Sequence, residues 1–188
     1  HFNQPMVTQA TCVITVCADV HRFSMWCEQR DAEPCYDNFA WFLNGVTDAL
    51  LAAQNLCVEA EAHGLGICYL GTTIYTAEEI ARILDLPKGV IPVTTIVVGH
   101  PDESPELTDR LPLDAVVHCE KYHHYTSSEI DELWAEKETS EETRRLLEEN
   151  GLPNLAQIFT RNRYRAEDNL AISRNYFALL KKQGFFNN

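Results

Sequence analysis

The chain has 188 residues and a formal net charge of −13, with 28 acidic against 15 basic side chains. That excess argues against nucleic acid or an anionic membrane surface as a partner; no apolar run is long enough to span a bilayer, and no signal peptide is visible. Seven cysteines, an odd number without CxxC pairs, fit reduced thiols in a cytoplasmic protein better than a secreted disulfide framework.

This length reads as a single domain over residues 1–188, able to bury roughly 70% of its unfolded surface. Gln4 to Thr11 predicts a short helix start feeding a sheet. Cys12 to Ala18 is β-branched and apolar on both faces, which predicts a central strand. His21 to Cys27 reads as a helical turn with aromatic anchors. Cys27 and Cys35 flank a charged loop, with His21 nearby; zinc would want closer, paired spacings, so buried free thiols are expected there. Asn38 to His63 predicts the dominant helix, about 39 Å long. Phe39, Phe42, Leu43, Val46, Ala49, Leu50, Ala53, Leu56, Cys57 and Ala60 recur at helical spacing. Trp41 and Leu51 fall on its otherwise polar side. A stripe that spills beyond one face implies burial on two sides, within one subunit or against a second copy.

Gly64-Leu65-Gly66-Ile67-Cys68-Tyr69-Leu70-Gly71-Thr72-Thr73 follows. Gly64 suits the left-handed residue that ends a helix, because it has no Cβ to clash. Ile67 to Leu70 reads as a short buried strand, which Gly71-Thr72-Thr73 breaks with exposed backbone donors. A glycine at 71 lets the main chain approach a flat ligand that any Cβ would hold off. Thr76-x-x-Glu79 predicts a capping box opening a helix over Ala77 to Leu84, closed by Pro87 and Gly89. Ile91 to Gly99 predicts a second strong strand. From Ser128 onward the pattern is helical, amphipathic and charged, with stops at Gly151 and Gly184. Glu136 to Glu149 reads as a solvated helical face, and His123-His124-Tyr125 as surface loop. Arg161, Arg163, Arg165, Arg174, Lys181 and Lys182 gather six of the 15 basic residues near the end. They form a candidate cationic patch for a nicotinamide cofactor's phosphates, though Lys181 and Lys182 also suit a helix C-terminus.

In order and spacing the chain resembles the FMN-dependent nitroreductase family, oxygen-insensitive NAD(P)H:flavin oxidoreductases. Ala53-Gln54-Asn55-Leu56, the Gly64–Thr73 turn, Val98-Gly99-His100-Pro101, Asp109-Arg110-Leu111-Pro112, Ala115-Val116-Val117-His118 and Lys182-Gln183-Gly184-Phe185 carry the likeness. It runs from Phe2 to Phe185 and is nearest the branch with a helical C-terminal extension. The resemblance implies an α+β fold with a central mixed or antiparallel sheet flanked by helices. It implies a homodimer built on the long helix, with FMN at the subunit interface. NAD(P)H would be the reductant, and a small nitroaromatic or quinone the electron acceptor. Gln4 falls on a position that hydrogen-bonds the cofactor; Gly71 and Thr72 would serve the ring edge, with Tyr69 and Leu70 beside it. Arg110 matches the second basic residue of a basic-x-Arg-Leu-Pro phosphate motif, where Thr108 stands for the first. A surface salt bridge to Asp109 or Asp114 is the alternative for Arg110.

The family also carries a segment before this point, with an Arg-Ser-x-Arg type phosphate grip and a Ser/Thr-rich flavin-contacting stretch. Neither stands in this chain, which opens at His1 and reads as a fragment or as numbering that starts after an omitted segment. A flavin-free binding member, and a flavin enzyme with dehalogenase or enone-reductase activity, are the competing readings.

Overall fold

The computed structural model describes residues 1–105 and 107–186. The chain divides into two compact units, His1–Glu103 with Leu170–Asn188, and Ser104–Asn169. The first holds α1 (Pro5–Gln9), β1 (Cys12–Asp19), α2 (His21–Glu28), α3 (Phe39–Ala62), β2 (Gly66–Leu70), a 3₁₀ turn Gly71–Tyr75, α4 (Ala77–Ile83) and β3 (Val90–Gly99). The second holds α5 (Ser127–Thr139), α6 (Glu141–Asn150), α7 (Leu155–Ile158) and a π-helical turn Phe159–Arg163. The last helix, α8 (Ala166–Lys182), begins among residues of the second unit and ends in the first. No described helix is long and apolar enough to cross a membrane.

Among the described residues the sheet has three antiparallel strands in the order β1-β3-β2. The strand expected at the centre, Cys12 to Ala18, is therefore an edge strand, with only Ala18 fully buried. β3 takes the centre and is buried along most of its length. It does so despite Pro92, a residue that lacks the N–H a two-sided ladder uses. A register shift between Val16 and Cys17 passes over Val93, beside Pro92, and so takes up the missing donor. The Pro92 carbonyl accepts from the Tyr176 hydroxyl at 3.0 Å. Desolvation, and then the Cys17 thiol, push the Tyr176 phenol up to about 12.

α3 packs on one face of this sheet. Asn38 caps it by accepting from the Trp41 N–H at 3.2 Å. Gly64, at φ 74°, ends it, with its own N–H bonded to Glu61 and that of Leu65 to Ala60. Ala53 and Cys57 meet Ile96 and Val98, and Ile14, Val16 and Ile67 close around them. Further up the helix a Cβ on Gly45 would lie 3.2 Å from the Ala18 Cβ, so glycine sets how closely helix and strand approach. Gly45→Val is expected to destabilise the fold by ~1–3 kcal/mol through overpacking. Denaturant unfolding measures it, and an equal or higher midpoint would show that the contact relaxes freely. Leu43, Leu50, Leu51 and Val58 of α3 are exposed to solvent.

The tail closes the other end of the core. Leu179, Leu180 and Phe185 pack with Ala18, Phe42 and Ile91, and the Gln183 carbonyl accepts from the Gly89 N–H at 2.9 Å. Cys27 is buried as expected, whereas Cys35 is exposed.

Two helix starts differ from expectation. Thr76 precedes α4 but makes no side-chain cap; its hydroxyl donates back to the Thr72 carbonyl at 3.4 Å, because the 3₁₀ turn already runs into the helix. The capping box forms instead at Thr126 and Glu129, ahead of α5. The charged run Glu136 to Glu149 is two helices, broken at Ser140, whose hydroxyl caps α6 through the Thr143 N–H.

Candidate functional site

The site residues of the first unit gather around the end of β2. Alternation along the strand sends Tyr69 and Leu70 to opposite faces. Tyr69 shares its row with Ile96, on the α3 side, and its hydroxyl donates to Gln54 Oε1 of α3 at 3.4 Å. Desolvation, and then the Cys57 thiol, raise the phenol to about 12. Leu70 is buried on the opposite face.

After Leu70 the chain turns into the 3₁₀ helix at Gly71. The leading N–H groups of a helix have no partner within it, so the Gly71–Thr72 backbone is a natural donor edge. A Cβ built on Gly71 meets nothing within 4 Å, so the space beside this backbone is open. Thr73 anchors the turn from below: its hydroxyl donates to the Leu70 carbonyl at 2.9 Å and lies 3.0 Å from Thr95 Oγ1.

The first residues of the chain lie against the same turn. His1 Nδ1 is 3.0 Å from Thr72 Oγ1, and the Phe2 and Tyr75 rings meet edge-on at 6.3 Å. Gln4 follows directly, its N–H bonded to the His1 carbonyl at 3.2 Å. Gln4 precedes α1 but makes no cap with its side chain, and its Oε1 is buried with no hydrogen-bond partner among the described residues. A buried acceptor left bare costs about 1–3 kcal/mol, and a ligand donor would recover it.

Arg110 belongs to the second unit. Its guanidinium donates to the Asp109 carbonyl at 2.9 Å and to the Thr108 carbonyl at 3.2 Å, and also meets the Thr108 hydroxyl. Neither expected salt bridge forms: Asp109 pairs with Lys137 at 2.7 Å, and that hydrogen bond holds its carboxyl below the usual range. Of the candidate cationic patch, Arg161, Arg163 and Arg165 fall in the second unit and Arg174, Lys181 and Lys182 in the first. Arg165 is taken by Asp168 and Glu167, and Lys182 by Glu78. His123 and Tyr125 serve local structure. His123 Nε2 lies 3.0 Å from Glu129 in the α5 cap, and Tyr125 donates to the Ala115 carbonyl at 2.8 Å.

The chain matches the sequence profile of the nitroreductase family over residues 1–100. It is similar to an FMN reductase (NADPH) of Bacillus subtilis (strain 168), 34% identical over 123 residues, covering 64% of this chain and 49% of that protein. It is also similar to an NADPH-dependent oxidoreductase of Staphylococcus aureus (strain USA300), 37% identical over 125 residues, covering 64% and 50%. The chain thus spans about half the length of these relatives. Among solved structures, a candidate oxidoreductase of Bacteroides fragilis NCTC 9343 superposes with a TM-score of 0.97. It is 48% identical, over 100% of this chain and 76% of that one.

Proposed function

The chain belongs to the nitroreductase family, and from that footing we propose that it is an FMN-dependent, NAD(P)H-driven oxidoreductase. The relatives named for FMN and NADPH support this reading. Two observations carry it, the bare, buried Gln4 Oε1 and the open backbone edge at Gly71. An isoalloxazine ring complements both, having a ring N–H for the acceptor and carbonyl and ring-nitrogen acceptors for the backbone donors.

The chemistry supplied when FMN is bound is hydride transfer from NAD(P)H to a small acceptor such as a nitroaromatic or a quinone. This chain's residues bind and orient. Gln4 Oε1 would accept from the ring, the Gly71 and Thr72 N–H groups would donate to its polar edge, and the missing Cβ at 71 would admit it. Leu70 packs the turn from within, and Tyr69 stays neutral. Arg110 keeps its proposed role as a phosphate ligand through charge-assisted hydrogen bonds. The exposure of Leu43, Leu50, Leu51 and Val58 supports a homodimer through α3. The residues 1–188 act as one catalytic domain, and the reduced thiols suit the cytoplasm. A flavin-free member is the second reading, favoured by the engagement of Arg110 with its own loop; a colourless protein that takes up no FMN would establish it.

Gln4→Leu separates fold from function. Leucine removes the bare acceptor, so the unliganded protein should melt at the same temperature or higher. FMN affinity should fall about tenfold, the worth of one good hydrogen bond. Unchanged affinity in the folded variant would take Gln4 out of the site.

A further inference from the structure

We propose that Thr73 and Thr95 are positioning residues: their buried hydroxyl pair holds Gly71 and Thr72 in the orientation that offers backbone donors to the flavin ring. The inference rests on the FMN reading and adds two residues that touch no ligand.

Thr73 is 1% exposed and Thr95 0%, two of four buried polar side chains among the described residues. Such groups are retained only with their hydrogen bonds made. Thr73 has one hydroxyl proton, and the Leu70 carbonyl can only accept. Thr73 shares that proton between the Leu70 carbonyl at 2.9 Å and Thr95 Oγ1 at 3.0 Å. The Thr73 hydroxyl is therefore the donor at the centre of the pair, with the Leu70 carbonyl and Thr95 Oγ1 as its two acceptors.

The position of this relay gives it a purpose. Leu70 pairs with Thr95 in the last rung of the β2–β3 ladder, and the chain leaves the sheet at the next residue. Thr95 thus meets the departing chain twice, as the register partner of Leu70 and through its hydroxyl contact with Thr73. Gly71 cannot orient the turn itself, since nothing packs where its side chain would be. The other bonds to the turn are weaker anchors: the His1–Thr72 contact is only partly buried, and the Thr76–Thr72 bond is 3.4 Å long. The buried relay, attached to the central strand β3, is what fixes the donor edge.

The test compares Thr73→Val, which keeps the shape and removes the proton, with Thr73→Ser, which keeps the hydroxyl. Thr143→Val serves as control, removing a buried hydroxyl of the second unit that donates to the Lys137 carbonyl at 2.7 Å. FMN is titrated into each protein, the circular dichroism of the bound flavin is recorded, and NMR follows amide exchange at Gly71 and Thr72 without flavin. Thr73→Val should weaken FMN about tenfold, alter the flavin dichroism and speed exchange at both amides. Thr73→Ser should restore all three, and Thr143→Val should change none. Wild-type affinity and exchange in a folded Thr73→Val protein would overturn the proposal. Should Thr73→Val not fold, Thr95→Val replaces it, with a weaker loss expected and an unchanged affinity overturning. If the wild type takes up no FMN, the flavin reading fails, and exchange at Gly71 and Thr72 decides the relay alone: faster in Thr73→Val supports it, equal removes it.

Discussion

Gly71→Val is expected to lower FMN affinity by at least about tenfold, a difference of ~1.4 kcal/mol, while leaving the fold intact. The two halves of this expectation come from one observation. Nothing lies within 4 Å of where the Cβ would be, so the protein has no atoms for the new side chain to displace. Glycine is not needed here for a left-handed backbone either, since Gly71 is not among the positive-φ glycines. The position could therefore carry a side chain in the free protein. What valine removes is the approach of a flat ligand to the main chain. Titration of the unliganded variant with FMN, beside its unfolding curve, measures both halves. Full affinity in a folded variant would take Gly71 out of the site.

The largest effect on assembly is expected from Leu51→Asp. Leu51 is 64% exposed on α3, so a lone subunit would tolerate a carboxylate there. In a dimer closed over that residue, the same carboxylate would be buried without a partner, which costs several kcal/mol and competes directly with association. The family resemblance implies that flavin lies between two subunits, so monomerisation and flavin loss should proceed together. Sedimentation at several protein concentrations, with flavin absorbance read in the same run, follows both. A variant that remains dimeric would show that Leu51 is outside the interface. A monomer that retains stoichiometric FMN would show that one subunit holds the whole site.

Much of this fold can be read from the chain, and the failures have identifiable causes. α3 is legible from Asn38 to Gly64 because cap, periodicity and glycine stop agree. The sheet-facing stripe is narrower than the apolar pattern, and Leu43, Leu50 and Leu56 are exposed rather than buried; periodicity tells how a face is spaced, not what covers it. The order of the strands has no local pattern, because it depends on which segments pair; the missing donor at Pro92 is taken up by a register shift. Of the Thr-x-x-Glu patterns at Thr76 and at Thr126, only the second is a capping box. The first is overridden by the 3₁₀ turn preceding it, which no local pattern announces. In the proposed site, Gly71 stands out because glycine leaves a mark in sequence, and the space beside it is open. The Thr73–Thr95 relay does not stand out, since its members are 22 positions apart and meet only when β2 pairs with β3. The bare acceptor on Gln4 is equally a property of the folded chain, because burial without a partner has no sequence pattern.

The central claim is that this chain takes FMN against Gln4, Gly71 and Thr72. An absorbance titration of the purified wild-type protein with FMN, run beside riboflavin, tests it most directly. The expected result is a saturable change in the flavin spectrum at one FMN per chain, with FMN bound more tightly than riboflavin through its phosphate. A flavin spectrum that stays that of the free molecule at every protein concentration would contradict it.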